Sequence, residues 1–135
     1  YITIASAGNP TDFGDLTTAR DYVHDGVTAS STRGLFAGGT GGGSTIYNII
    51  DYITIASTGN ATDFGDMTAT CTDTKASSSP TRTVISLGYS GGASTNVIDY
   101  ITTASTGNAS DFGDLSGSYS RFGSGATSSN HGGLN

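Results

Sequence analysis

An all-β fold built from repeated four-stranded antiparallel units is predicted for this chain on three observations. The first is composition: Ser, Thr, Gly, Ala and Asp dominate while Glu, Gln and Trp are absent, which disfavours helices and favours turns and strands. The second is repetition. "YITIASAGNPTDFGDLT" at Tyr1 returns as "YITIASTGNATDFGDMT" at Tyr52 and as "YITTASTGNASDFGDLS" at Tyr100. Successive copies agree at 14 and 13 of 17 positions and lie 51 and 48 residues apart. The third is apolar alternation at period two, which marks strands.

Taken in order, "RGLFAG" places a strand over 33–38, and a Gly-rich connection follows it. The run 45–57 puts Ile46, Ile50 and Tyr52 on one face and Tyr47, Ile49, Ile53 and Ile55 on the other. A strand apolar on both faces needs a neighbouring layer on each side. In the turn that follows, Gly59 and Asn60 suit positive φ. A strand over 62–68 then carries Phe64 and Met67. The polar segment 69–81 reads as a link, and 84–88, 96–105 and 110–115 repeat the strand pattern. A period near 50 residues is the size of one four-stranded β-propeller blade, too long for a leucine-rich or ankyrin unit.

On that layout residues 1–17 are the outer half of a blade, 18–68 and 69–116 are blades, and 117–135 begin another. The chain holds about 2.7 such periods, whereas propellers close with roughly four to eight blades. An incomplete ring is therefore expected. Its partners would be neighbouring repeats of a longer chain or further copies of itself, and two chains, with about 5.4 periods, approach a six-bladed ring.

The net charge of −6 comes from eleven Asp against Arg20, Arg33, Lys75, Arg82 and Arg121, which are scattered. No basic stripe is available to a nucleic acid or an anionic membrane surface, and no apolar run has membrane-spanning length. Cys71 is the only cysteine and forms no intrachain disulfide; a small, partly buried residue is expected there.

No catalytic set and no cofactor are expected. The "DFG" at Asp12, Asp63 and Asp111 has none of the other sequence elements of a phosphoryl-transfer enzyme, and its recurrence points to packing. "GGTGGGST" from Gly38 lacks the Lys of a phosphate loop. Asp63 with Asp66, and Asp111 with Asp114, are oxygen donors of the kind Ca²⁺ accepts, although turn capping explains the same residues. Asn60 and Asn108 fit the glycosylation acceptor pattern, whereas Asn9 is followed by Pro10. His24 and His131 have no partner at ligand spacing. Tyr22, Tyr47, Tyr89 and Tyr119 are the candidates for stacking on a sugar ring. The variable segments 21–31, 40–45, 73–80 and 89–95 are expected to be the loops that carry function.

"LTTAR" at Leu16, "LFAGG" at Leu35, "IIDYITIAS" at Ile49 and "TDFGDMT" at Thr62 together resemble the kelch repeat, with Phe64 and Phe112 where that motif carries Trp. The wording is also similar to kelch-like repeats of phage and environmental sequences that serve as tail-fibre or other virion components. The resemblance implies a kelch-like β-propeller at an extracellular or virion surface. Its role would be structural or adhesive and non-enzymatic, with glycan binding as the alternative.

Overall fold

The computed structural model describes residues 1–23 and 26–117. His24, Tyr119 and His131, and all but the first residue of the expected segment 117–135, lie outside the described residues. The described chain is all-β and antiparallel, with one 3-10 turn at Gly42–Ser44 and no α-helix.

Its strands are β1 (Val27–Ala29), β2 (Arg33–Ala37), β3 (Ile49–Thr54), β4 (Thr62–Asp66), β5 (Lys75–Ser78), β6 (Arg82–Ser86), β7 (Tyr89–Ser90), β8 (Ala93–Ser94), β9 (Val97–Thr102) and β10 (Ser110–Asp114). Two four-stranded sheets result, ordered β1-β2-β3-β4 and β10-β9-β6-β5, with β7 and β8 forming a small hairpin of their own. The sheets share one register plan. Arg33 faces Thr54 in the first and Arg82 faces Thr102 in the second, and Tyr52 and Tyr100 face Thr62 and Ser110. The first copy keeps the same link without becoming a regular strand, since the Thr11 N–H donates to the Tyr1 carbonyl at 2.8 Å.

Four expectations need correction. The link 69–81 contains β5, whose Lys75, Ala76 and Ser78 are buried. Its polar letters hid a strand because its buried hydroxyls are paired: Ser78 shares a hydrogen bond with Thr83 at 2.7 Å. Likewise 21–31 contains β1, and 89–95 contains the β7–β8 hairpin. Asn60 does not adopt positive φ; Gly59, at φ 154°, takes the strained backbone position alone.

The recurrent "DFG" is a β-bulge. Asp63 faces Asp51 and Gly65 faces Ile50, leaving Phe64 as the extra residue, and the same shift falls between Asp111 and Gly113. The Asp63 carboxylate accepts the Gly65 N–H at 3.0 Å, and Gly65 at φ 142° completes the kink. Such a bulge re-aims one side chain, here Phe64, into the core. That core is one cluster running through both sheets, with Leu35, Ile50, Phe64 and Met67 from one and Ile85, Leu87 and Ile101 from the other. β1 and β5 bring the sheets together, with the Thr28 hydroxyl 3.2 Å from that of Ser78.

Phe64 is 2% exposed, whereas its counterpart Phe112 is 55% exposed. The two rings were expected to be equivalent; they differ in that the following repeat packs against Phe64, whose carbonyl accepts the Gly107 N–H, and no such contact reaches Phe112 among the described residues. Phe64→Ala should therefore cost about 3–5 kcal/mol. Phe112→Ala should cost only about 1 kcal/mol, the scale of its edge contact with Tyr100. Urea denaturation of the two variants beside the parent checks this, and equal losses would contradict the packing described.

Candidate functional site

The most regular feature of the molecule is the joint between successive repeats. The Gly59 N–H donates to the Phe13 carbonyl at 2.8 Å and the Ala61 N–H to the Asp15 carbonyl at 2.8 Å, while the Asn60 Oδ1 accepts the Asp15 N–H at 3.0 Å. One repeat later Gly107 donates to Phe64 at 2.7 Å, Ala109 donates to Asp66 at 2.7 Å and Asn108 accepts the Asp66 N–H at 3.1 Å. A Cβ built on Gly65 would stand 2.5 Å from the Gly107 carbonyl oxygen, so only glycine permits this approach. Asn60 and Asn108, the two glycosylation-pattern asparagines, thus present their amide oxygens to a neighbouring backbone.

Deeper in each joint lies a fully buried Asp. Asp51 accepts from the Thr17 hydroxyl at 2.7 Å and the Thr17 N–H at 3.1 Å, and Asp99 accepts from Thr68 in the same way at 2.7 and 2.8 Å. In the first joint the Arg20 guanidinium adds an ion pair at 2.8 Å, with both side chains shielded from solvent. Arg20 also donates to the Gly38 and Phe36 carbonyls at 2.8 and 3.2 Å, so that each of its three guanidinium nitrogens has an acceptor.

Cys71 occupies Arg20's place in the second joint. The equivalence follows from the next residues, since Asp21 bridges Thr40 as Thr72 bridges Tyr89. Cys71 is buried rather than partly so, and its thiol, removed from water, is pushed up from 9.0 to about 11. That state is unreactive at neutral pH.

A second site lies at the ends of the sheets, where a cleft of about 210 Å³ is lined by Tyr22, Thr40, Ser44, Ile46, Thr72, Asp73 and Tyr89. Of the tyrosines singled out above, Tyr22 and Tyr89 meet here. Tyr47 is not in the lining; its ring lies over Gly41, and its carbonyl accepts the Cys71 N–H at 3.0 Å. Tyr22, Ser44 and Asp73 all have positive φ. Tyr22 and Asp73 are equivalent turn positions of successive repeats, so the turn itself sets those two dihedrals. With two phenol rings, three aliphatic hydroxyls and one carboxyl group, the cleft offers stacking surface beside hydrogen-bonding groups.

The acidic pairs form no comparable site. Asp63 and Asp111 cap the Gly65 and Gly113 N–H groups at 3.0 and 2.8 Å. Among the described residues no group of three or more His, Cys, Asp or Glu is placed to hold a metal ion. Nor is any helix there long and apolar enough to cross a membrane.

Sequence reasoning missed Asp51 and Asp99, and with them Arg33 and Arg82, whose guanidinium carbons sit 4.5 and 4.6 Å from the Tyr52 and Tyr100 ring centroids. An Asp at the same place in two otherwise apolar strands was the available signal. No protein-family model and no curated protein matches this chain.

Arg20→Met strips the buried Asp51 of its ion-pair partner and should destabilise the fold by about 3 kcal/mol, read from denaturant midpoints. Raising the pH should also weaken the fold. Between pH 9 and 11 the unfolded Cys71 thiol ionises while the native one stays protonated, so stability falls by up to about 2–3 kcal/mol as pH rises. The Cys71→Ala variant isolates the thiol's share: its stability curve should be flatter over this interval, and an unchanged slope would refute the assignment.

Proposed function

We propose that this chain is a non-enzymatic structural or adhesive segment, a kelch-like β-propeller array of an extracellular or virion-surface protein. The observation that supports it most is the joint. The same three hydrogen bonds, the same close glycine approach and the same Thr-to-Asp pair recur between copies 1 and 2 and between copies 2 and 3. Sequence effort is spent on stacking units rigidly rather than on converging reactive groups, as expected of an array whose stability comes from unit-to-unit interfaces.

Glycan binding is a second reading, and the cleft between Tyr22 and Tyr89 favours it. Exposed and half-buried tyrosines beside Thr40, Thr72 and Asp73 suit a sugar ring, whose apolar face stacks while its hydroxyls exchange hydrogen bonds.

Asn60→Ala and Asn108→Ala each remove one joint bond. Each should lower stability by roughly 1 kcal/mol, which for a chain of this size is a drop of roughly 3–6 °C in melting temperature. No shift in either variant would remove the basis of the stacked-array reading. A glycan array probed with the parent and with Tyr22→Ala tests the alternative: binding that the substitution abolishes supports it, and an empty array sinks it.

A further inference from the structure

We infer that the cleft between Tyr22 and Tyr89 selects a sugar carrying a protonated amine, such as an unacetylated hexosamine of a glycan, over its neutral and acidic counterparts. The inference rests on the glycan reading and names the class of sugar. Two repeats build the cleft from equivalent positions. Tyr22 and Asp73 occupy the same turn place, at φ 57° and 56°, while Thr40 and Tyr89 occupy the same bridge place, paired with Asp21 and Thr72. The backbone is thus repeated and the side chains are not. In the joints the reverse holds, since the Gly, Asn, Asp and Thr that make the contacts recur from one joint to the next. The repeated fold does not dictate the four cleft side chains, and their divergence sets one ring from each repeat beside a carboxylate.

The charge of the ligand follows from what surrounds that carboxylate. Asp73 is the only charged residue in the described lining of the cleft. It is half-buried, and its Oδ2 accepts the Thr72 hydroxyl at 3.0 Å, the one hydrogen bond its carboxylate makes among the described residues. The basic side chains of this neighbourhood are committed elsewhere. Arg20 is sealed from solvent on Asp51 and two carbonyls, and Lys75 is buried with its Nζ 3.5 Å from the Asp73 backbone carbonyl. Asp21, exposed, shares an adjoining hollow with Tyr22 and adds a second negative charge there. A uronic or sialic acid would be repelled. An ammonium would instead gain a charge-assisted hydrogen bond, about twice as strong as a neutral one, and the phenol faces attract the same cation. Tyr22 is 54% exposed, and Tyr89 is fixed by its hydroxyl, which donates to the Gly92 carbonyl at 2.6 Å. The volume of about 210 Å³ falls below the roughly 300 Å³ at which drug-sized pockets begin. One sugar ring is therefore held, and the rest of the glycan lies outside.

Isothermal titration of the whole chain with three tetrasaccharides, buffered below the pKa of the amine, tests this: a glucosamine tetramer, its N-acetylated form and a glucuronic-acid-bearing one. The glucosamine tetramer should bind roughly tenfold more tightly than the acetylated form, the effect of one bond to a charged group, and the acid should not bind. Asp73→Asn should erase that gap. Asparagine keeps an acceptor for the Thr72 hydroxyl and tolerates the left-handed backbone. Tyr22→Asn keeps its backbone for the same reason and should weaken both binding sugars. Circular dichroism verifies that each variant keeps its fold. A cationic tetramer held merely by the net charge of −6 would bind both variants as it binds the parent, and that result overturns the proposal. If the acetylated tetramer binds as tightly as the free amine and Tyr22→Asn weakens both, the glycan reading stands and the charge selection fails. If no tetramer of any charge binds, the glycan reading fails and takes this inference with it.

Discussion

Each joint in this molecule turns on an Asp side chain sealed away from water, Asp51 in one and Asp99 in the next, each gripped by the hydroxyl and the backbone N–H of a Thr from the preceding repeat. A buried carboxyl group left without partners costs several kcal/mol, so the Asp enforces the register of the repeat that brings the Thr. A slip of one residue along the strand would turn the Asp to the opposite face and leave it without its Thr. The apolar contacts around it, Ile50 and Leu35 among them, stabilise any reasonable packing; the Asp selects one. The aromatic layer follows from the same register. Tyr52 meets Phe64 edge to face at 5.9 Å with Arg33 over the Tyr ring, and Tyr100, Phe112 and Arg82 reproduce the arrangement.

The two joints differ in one respect that shows how the repeat distributes its energy. Arg20 completes the donors around Asp51, whereas Cys71 stands in the corresponding place and leaves Asp99 to Thr68 among the described residues. The Thr-to-Asp bonds are common to both joints and the ion pair is not, so the ion pair is an addition to the joint rather than its basis. A small apolar thiol also avoids the desolvation cost of burying a guanidinium, which can exceed the attraction gained. Cys71 keeps its backbone role all the same: its N–H reaches the Tyr47 carbonyl and its carbonyl takes the Gly39 N–H, at 3.0 and 2.9 Å.

How much of this was legible in the sequence depends on the kind of signal. The strands around Leu35, Ile50, Ile85 and Ile101 were legible because apolar residues at period two announce them. β5 was not, because Lys75, Ser77 and Ser78 satisfy no hydrophobic pattern; the strand is set by its partner β6 and by paired hydroxyls, which only tertiary context supplies. The repeat made the joint visible as a recurrence of "GN" and "DFGD" without saying that the first belongs against the second of the preceding copy. Bonds between Asp15 and Asn60 join residues 45 apart, and no local pattern carries that distance. In the cleft, the tyrosines at 22 and 89 were singled out with two others, and only the fold brought this pair to one lining.

An exposed "DFGD" at one end and an exposed "GN" at the other are consequences of translation symmetry within the chain. Any stack of identical units with distinct top and bottom faces leaves one of each unsatisfied, whatever its length, unless the stack curves into a closed ring. Pro10 departs from the two later copies: the hairpin of the first copy stays closed through Tyr1 and Thr11, but Pro10 has no N–H where Ala61 and Ala109 carry one. In the two later copies those N–H groups point to the preceding copy, at Asp15 and Asp66, and not into their own repeat, so the position serves the joint between units and leaves the hairpin itself to other bonds.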